Sequence, residues 1–313
     1  MMLFGSHSKS RFTDRFGCSG LRAFAIGVAV IQMISTAAQA QIFTDPSTTE
    51  TFPEAIQKMT VVKNYQFGTA TGRTIGNLSQ LATAFSAYGI SGQTVINQEW
   101  ERYQTFNSTN FVFTGTSLDL TATIASHGGL FAGGINSGQI WSNQTFQPEV
   151  TGYTVYAFEV RMRVPSGAGM WPAAWLFTQQ PGEADGSEID NPEFFVMEWQ
   201  NEFDWTGDQH GPGQGPQIYS IKTNPWVWHP GLNFSADYHD YQTLWTPDAV
   251  YKYVDGTLVY AESFRWTAKG AAQLGVNLAV GTNASVSMPG LKPTSLTEFP
   301  AVLSVDHITV WAK

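Results

Sequence analysis

Cysteine is almost absent from this chain. The 313 residues include a single cysteine, Cys18, and the 273 residues after position 40 have none. Disulfide bonds, thiol catalysis and thiolate metal sites are therefore excluded for that part of the chain. A protein without these cross-links depends on a large hydrophobic core, and a segment of this length can bury one.

Positive charge is also scarce. Residues 41–313 contain 12 lysines and arginines against 24 acidic residues, a net charge of −12. An acidic chain repels phosphate backbones and anionic membrane surfaces, so neither a nucleic acid nor a membrane is expected as a partner. A neutral polymer is compatible with this charge. Aromatic residues make up 14% of the chain; their faces can stack on sugar rings, although most are expected to fill a core.

The chain has no apolar run long enough to span a bilayer comfortably, which takes about 20 residues. Its first forty residues carry basic side chains, an apolar run over 23–34 and the tripeptide Ala38-Gln39-Ala40. This order is typical of a signal peptide with an A-x-A cleavage site. We therefore predict a signal peptide over 1–40 and a secreted or periplasmic location. A membrane anchor or a disordered leader is the weaker alternative.

Helical periodicity is rare as well. Residues 41–60 are polar and interrupted by prolines, which predicts an N-terminal arm or linker. Only residues 77–88 have a helical pattern, and a short helix is expected there. Short alternating runs follow, with hairpin signals at Gly115 and at Asp255-Gly256. We predict an all-β fold, an antiparallel two-sheet sandwich, as one domain over 61–313.

Three carboxylates lie close together in the segment from Gly186 to Phe195. Glu188, Asp190 and Glu193 occupy positions i, i+2 and i+5. In a regular strand the first two share a face and the third points away. One extra residue, a β-bulge at Pro192, would return Glu193 to the common face. A pair of carboxyl groups on one face is what retaining glycoside hydrolysis requires.

The spacing leaves other assignments open. Glu183 and Glu188 are also five residues apart, as are Glu193 and Glu198. We favour the Glu188/Glu193 pair because it alone combines a middle acid, strand formers and a reason for a bulge. Solvated loop acids or a cation site such as calcium explain the spacing as well as catalysis does.

A wider pattern resembles glycoside hydrolase family 16, which includes laminarinases and related β-glucanases. The resemblance covers about Val95 to the C-terminus in the correct order, through residues 136–141, 153–163, 169–177, 188–193, 238–248, 253–259, 276–281 and 305–310. It implies a concanavalin A-like β-jelly roll whose concave sheet forms a glycan cleft. It further implies hydrolysis with retention of the anomeric configuration, with Glu188 as nucleophile, Asp190 as its assistant and Glu193 as acid/base.

The resemblance also implies substrate contacts outside the acid motif. It favours Trp171, Trp175, His239, Asn136 and the pair Glu99-Trp100. For Trp175 a purely structural role is at least as good an interpretation, and a lone histidine such as His239 is more often a structural residue than a ligand contact.

Two sites depart from the family pattern. Gln139 replaces a common arginine, and Asn191-Pro192 replaces apolar residues. These departures leave room for a shifted register, a divergent substrate or a relative that has lost catalysis.

The resulting hypothesis is an endo-acting retaining β-glycanase that cleaves a neutral polysaccharide, a β-1,3- or β-1,3-1,4-glucan. The alternatives are a transglycosylase and a non-catalytic, lectin-like glycan-binding protein on the same fold. No metal ligands and no cofactor are predicted, although a structural calcium ion stays open. The sequence leaves the oligomeric state open too, with a monomer as the default expectation.

Overall fold

The structure is a computed structural model. It describes residues 50–89, 99–125, 134–178, 187–196, 203–206, 227–228, 234–262, 270–281, 292–295 and 297–313. All of them belong to the compact unit Phe43–Lys313. The predicted signal peptide, Glu183 and Glu198 lie outside the described residues.

The described part of the chain consists mainly of strands. Two short helices are α1 (Phe52–Ala55) and α2 (Leu78–Ala84). The strands are β1 (Thr60–Gln66), β2 (Phe85–Ser86), β3 (Glu101–Tyr103), β4 (Phe111–Phe113), β5 (Leu118–Ile124), β6 (Ile135–Ser137), β7 (Gln139–Phe146), β8 (Tyr156–Arg163), β9 (Met170–Thr178), β10 (Ser187–Val196), β11 (Phe203–Thr206), β12 (Val227–Trp228), β13 (His239–Trp245), β14 (Val250–Val254), β15 (Thr257–Glu262), β16 (Ala272–Val280) and β17 (Ala301–Ala312).

These strands form two sheets. The ten-stranded sheet has the order β15-β14-β13-β8-β17-β5-β6-β3, with β1 beside β17 and β4 beside β5. The seven-stranded sheet has the order β12-β11-β10-β9-β16-β7-β2. All the pairings are antiparallel except that of β3 with β6, which is parallel. The predicted all-β, two-sheet architecture is confirmed.

One hydrophobic core fills the space between the sheets. Buried Phe158 and Val160 of the ten-stranded sheet and buried Leu176 and Val276 of the seven-stranded sheet belong to it. In β9 and β16 the core residues occupy alternate positions, as strand geometry requires. The intervening positions therefore lie on the outer face of the seven-stranded sheet, the face that turns away from the core.

Local signals in the sequence explain several boundaries. Val254 pairs with Thr257 across Asp255 and Gly256, whose φ angles of 49° and 80° suit a tight hairpin turn. The side chain of Asn77 accepts the backbone N–H of Gln80 and caps α2. The predicted hairpin turn and the predicted short helix are both confirmed. So is the hairpin around Gly115, where β4 pairs with β5.

The described end of the predicted arm packs against the domain. Phe52 of α1 is buried, and its ring contacts Tyr253 and Trp311 edge to face, with centroids 5.4 and 5.7 Å away. Its backbone N–H donates to the carbonyl of Gly256. From residue 51 onward this segment is therefore part of the folded unit and not a free, extended linker.

Among the residues that the structure describes, no helix has both the length and the hydropathy needed to cross a membrane.

A charged cluster joins β8 to β17. His307 contacts Glu159 through Nε2 at 3.0 Å and Asp306 through Nδ1 at 2.7 Å. Arg73 donates two hydrogen bonds to the carboxylate of Asp306 and one to its backbone carbonyl. Burial by itself would lower the pKa of His307, but the hydrogen bonds to the two carboxylates outweigh it and the pKa is raised. Burial opposes ionisation of Glu159 and Asp306, yet their hydrogen bonds hold both pKa values below the usual range.

These pKa shifts predict how stability depends on pH. The contribution of His307 is fully present below its unfolded pKa of about 6.5 and is lost as the pH rises through the raised folded pKa. The contributions of Glu159 and Asp306 are present above their unfolded values of about 4 and are lost as the pH falls through the lowered ones. Urea unfolding from pH 6 to pH 9 should therefore show decreasing stability, and H307N should flatten this decrease. Equal slopes in both proteins would contradict the assignment.

Candidate active site

The acid motif lies on β10, which pairs with β9. Glu188 is opposite Phe177, Asp190 is opposite Trp175, and Glu193 is opposite Ala173. Between the last two pairs, two residues of β10 (Asn191 and Pro192) lie opposite one residue of β9 (Ala174), and the register shifts there. This shift is the β-bulge that the sequence predicts at Pro192. The predicted bulge is confirmed.

The bulge decides which face the three acid positions share. Ile189 is buried in the core between the sheets, and its partner Leu176 is buried there too. Because successive residues of a strand face opposite ways, Glu188 and Asp190 occupy positions on the outer face. The extra residue gives Glu193 the same phase, since its partner Ala173 is an outer-face residue of β9.

The register continues across four strands and forms three rows on this face. The first two rows each contain one residue of β7, β16, β9 and β10, and the third contains one residue of β16, β9 and β10. The rows are Gln139–Asn277–Ala173–Glu193, then Trp141–Gly275–Trp175–Asp190, then Gln273–Phe177–Glu188. The three acids therefore occupy consecutive outer-face positions at one side of a polar and aromatic surface. Their catalytic roles stay predictions.

Aromatic rings fill the middle of this surface. The ring of Trp141 packs against Trp175 at 4.8 Å and against Phe177 at 6.1 Å, both edge to face. Gly275 makes room for it, because a Cβ atom there would lie 2.6 Å from Cζ3 of Trp141. The absence of a side chain at position 275 is thus a packing requirement of the indole beside it.

Both predicted tryptophans of β9 lie on the face that carries the acid motif. Trp171 pairs with Ala279, one row beyond Asn277, and Trp175 occupies the row of Asp190. Both indoles are largely buried, with relative exposures of 4% and 8%. The structure brings these residues together with the motif, and it gives Trp175 a packing role as well.

A hydrogen-bonded chain leads away from Trp175. The indole Nε1–H donates to Oδ1 of Asn277 at 2.9 Å, and Nδ2 of Asn277 donates to the hydroxyl oxygen of Tyr103 at 2.8 Å. Beyond Tyr103 lies the carboxyl of Glu101, close enough for its charge to act on the Tyr103 hydroxyl. Oε2 of Glu101 accepts the backbone N–H of Val280 at 2.8 Å.

The chain ends at two buried carboxyl groups. Glu101 is fully buried, and Glu99, two residues before it, is nearly so. Burial raises the pKa of Glu101, against the opposing effect of hydrogen bonds from Glu99, the Val280 N–H and Tyr103. Burial and the negative charges of both glutamates raise the pKa of Tyr103 well above its usual value. Tyr103 is therefore neutral at any working pH and can donate to the carboxyl pair.

The other predicted contacts lie farther from the motif. Trp100 packs in the core against Gly281, with Nζ of Lys292 5.9 Å from its ring centre. Asn136 is in the ten-stranded sheet, where its Oδ1 accepts from Gln104. Glu99 is tied to Glu101, as described above. For Trp100 the structure supports packing, and substrate contacts of these three residues stay predictions.

His239 also lies in the ten-stranded sheet. Its Nδ1 is 2.7 Å from Oδ2 of Asp255, and its ring packs edge to face on Phe234 at 5.0 Å. The structure does not bring this side chain to the outer face that carries the acid motif. The structural interpretation of this histidine has the better support.

Among the residues that the structure describes, one group of side chains has the proximity of metal ligands. Single ligand atoms of Glu159, Asp240 and His307 lie within 4.8 Å of one another. Calcium takes six to eight oxygen ligands, whereas this group includes an imidazole. Both carboxylates also accept hydrogen bonds from the protein: Glu159 from Gln242, and Asp240 from Arg161. The group does not fit calcium. A structural calcium ion stays a prediction.

Sequence reasoning overlooked several residues on this face and in the hydrogen-bonded chain behind it. Asn277, Tyr103, Glu101 and Trp141 were not singled out, and Gln139 was noted only as a departure from the family. A signal did exist for Asn277, because it alternates with the apolar residues Val276 and Leu278 and must lie on the outer face. Tyr103 and Glu101 had no comparable local signal.

This combination of features defines a two-sheet β-sandwich with a carboxylate motif on the outer face of one sheet. A model of the family described as Glycosyl hydrolases family 16 matches residues 97–275, more than half of the chain. The chain belongs to glycoside hydrolase family 16.

Similar proteins agree with this assignment. The chain is 28% identical over 169 residues to glucan endo-1,3-beta-glucosidase A1 of Niallia circulans, an alignment that covers 50% of this chain and 24% of that protein. It is 28% identical over 172 residues to a beta-glucanase of Rhodothermus marinus, covering 51% of this chain and 58% of that protein. The chain thus spans from a quarter to little more than half of these relatives.

Solved structures share the fold. The catalytic domain of a laminarinase from Thermotoga petrophila has a TM-score of 0.60 at 22% identity, covering 82% of this chain and 98% of that one. An endo-beta-1,3-glucanase from Pyrococcus furiosus has a TM-score of 0.58 at 24% identity, covering 81% and 94%. The predicted β-jelly roll is confirmed.

Proposed function

We propose that this protein is an endo-acting β-glycanase that hydrolyses internal bonds of a β-1,3- or β-1,3-1,4-glucan with retention of configuration. One observation carries the proposal: the bulged register of β9 and β10, which gives Glu188, Asp190 and Glu193 a common face. The similar proteins support the substrate class, since those quoted above carry the names of glucan endo-1,3-beta-glucosidase, beta-glucanase and laminarinase.

In the first step of this mechanism, the carboxylate of Glu188 attacks the anomeric carbon of the sugar on the donor side. The bond between that carbon and the glycosidic oxygen breaks, and the carboxyl group of Glu193 donates its proton to the departing oxygen. The products are a glycosyl ester of Glu188 and a shortened glucan. Asp190, between them in the motif, helps to keep the pKa values of the two glutamates apart.

In the second step, the carboxylate of Glu193 takes a proton from a water molecule, and the resulting hydroxide attacks the same carbon from the opposite side. The ester bond breaks and Glu188 returns to its carboxylate form. Two inversions at one carbon give net retention. If a sugar hydroxyl replaces water in this step, the same chemistry becomes transglycosylation.

The outer face of the seven-stranded sheet offers polar and aromatic groups beside the acid positions, which suits a neutral, hydroxyl-rich ligand. Trp171 and Trp175 place aromatic rings on this face with little exposed surface, and the buried amides of Gln139 and Asn277 lie in the row of Glu193. The chain carries a net charge of −9, which is unfavourable for an anionic polysaccharide. These features support a neutral glucan as the substrate.

The experiment is a substrate panel with two readouts. Laminarin, lichenan, carboxymethyl cellulose and agarose are incubated with the protein, and reducing ends and product lengths are measured. We expect oligosaccharides of intermediate length from laminarin or lichenan, and proton NMR should show the β-anomer before mutarotation. Binding without any product would favour the lectin-like alternative. An α-anomer formed first would contradict retention.

We also propose that the protein works outside the cytoplasm, in the periplasm or after secretion. The basic, apolar and Ala-x-Ala segments within residues 1–40 support this location. Mass spectrometry of the protein recovered from the periplasm or medium of an expressing bacterium should give Gln41 as the first residue.

A further inference from the structure

We propose that Asn277, oriented by Tyr103, is a positioning residue that fixes the indole of Trp175 beside the acid motif and thereby supports catalysis. This proposal rests on the proposed function, and it concerns residues for which the acid motif itself gives no role. It follows from the direction of three buried hydrogen bonds.

The first step is the chemistry of the indole. An indole N–H can donate a hydrogen bond but cannot accept one, so the atom of Asn277 that meets Trp175 must be the amide oxygen. Its nitrogen is then directed to Tyr103, whose hydroxyl oxygen accepts. Because both ends of the amide have a protein partner, only one orientation of the side chain satisfies them. Asn277 is 5% exposed and Tyr103 is 1% exposed, so water cannot easily replace either bond.

The second step is the anchoring of Tyr103. Since its oxygen accepts from Asn277, its own proton is available for the Glu101 carboxyl, which is held by the Val280 N–H. Val280 belongs to β16, the strand that also carries Asn277. This series of hydrogen bonds therefore begins on β16 at Asn277 and ends on β16 at Val280. It fixes β3 against the end of the seven-stranded sheet.

The third step is the place of Trp175. It is the direct cross-strand partner of Asp190, the middle acid of the motif. Side chains at such paired positions have Cβ atoms about 5 Å apart. On its other side the indole meets Trp141, which is fixed between Gly89 and Gly275. The indole is thus supported from one side by packing and at its polar edge by Asn277, next to the acid row.

This arrangement has a functional consequence. A small displacement of groups around a reacting centre can cost about 100-fold in rate. Loss of the amide would free the Trp175 indole to tilt, and the surface beside the acids would change shape without the loss of any group that touches the reacting bond. The effect should therefore appear in kcat more than in KM.

The test uses four variants of the full chain. N277A removes both hydrogen bonds, Y103F removes only the oxygen that orients the amide, and W175F removes the indole N–H. N143A is the matched control, because Asn143 is an exposed amide on β7 of the same sheet. Y103F retains the ring and its packing, so it stays informative if N277A does not fold.

Two measurements separate positioning from mere folding. For laminarin hydrolysis we expect kcat to fall about 10- to 100-fold in N277A and about 3- to 10-fold in Y103F, with KM changed less than about twofold. N143A should remain within about twofold of the wild type. In the W175F background, N277A should add little, because the shared bond is already gone.

The second measurement does not depend on activity. Each of the 11 tryptophans gives one indole N–H peak in a nitrogen-15 NMR spectrum, and the peak absent from W175F identifies Trp175. We expect this proton to exchange with solvent about tenfold faster in N277A, and measurably faster in Y103F. Unchanged exchange would overturn the proposal, and so would faster exchange with undiminished kcat.

The same measurements distinguish the two proposals. If the wild-type protein cleaves no glucan, the proposed function fails and the catalytic part of this inference fails with it. The exchange rates would then still decide whether Asn277 holds the indole. If the wild type is active but N277A and N143A behave alike, only the positioning role is wrong.

Discussion

Replacing Glu188 with alanine is expected to lower kcat/KM for laminarin by at least about 10³-fold, because the glycosyl ester can no longer form. The same loss is expected for E193A with a polysaccharide, since the departing oxygen then leaves without a proton. Both positions are on the outer face, where a smaller side chain leaves the core between the sheets intact. We therefore expect the midpoint of urea unfolding to change little.

Azide assigns the two roles. With an activated aryl glycoside, azide should rescue E193A and give a β-glycosyl azide, because it replaces water in the second step. In E188A it should attack the substrate directly and give an α-glycosyl azide. E298Q is the control, since Glu298 is exposed and lies in neither sheet. Full loss of activity in E198Q together with an active E188A would show that the catalytic pair is Glu193 and Glu198.

The largest expected effect on stability comes from a glycine. Gly169, just before β9, has a φ of +83°, and a Cβ atom there would collide with the backbone of Lys292 and Pro293 and lie 2.6 Å from Cδ of Pro293. G169A should lower the free energy of unfolding by roughly 3 kcal/mol, the sum of left-handed strain and overpacking. Urea unfolding followed by tryptophan fluorescence measures this loss.

G72A is the matched control for this glycine. Gly72 has a φ of +93°, and a Cβ atom there would meet nothing within 4 Å. It should therefore show only the conformational cost of about 1 kcal/mol. If the free energy of unfolding fell equally in both variants, the close approach of residues 292–293 to Gly169 would not contribute to the loss in G169A.

Much of the fold followed from local patterns in the sequence. The alternation of apolar and polar residues predicted the strands, and Asp255-Gly256 predicted a turn. Pro192, within the strand that carries the acid motif, predicted the bulge. Each of these signals depends on neighbours within a few residues. The face of β10 that carries the motif could be predicted for the same reason, because counting positions along one strand is enough to assign it.

Other parts of the site could not be obtained in this way. Tyr103 and Asn277 are 174 residues apart in sequence and meet only because β3 lies against the end of β16. The sheet to which His239 belongs depends on strand order, which alternation does not encode. In the same way, the prolines and polar residues near position 50 suggested an arm, while the burial of Phe52 depends on a distant hairpin.

The bulge in β10 has a consequence for how this motif can vary. Removing Asn191 or Pro192 would leave the acids at positions i, i+2 and i+4, an arrangement that a regular strand also keeps on one side. One residue more or less at this place therefore leaves the three acid positions on the same face of the strand. It changes only the bend and twist of the strand that carries them. A relative without this residue would keep the three acid positions on one face of the strand, but the angle between the two ends of the strand would differ.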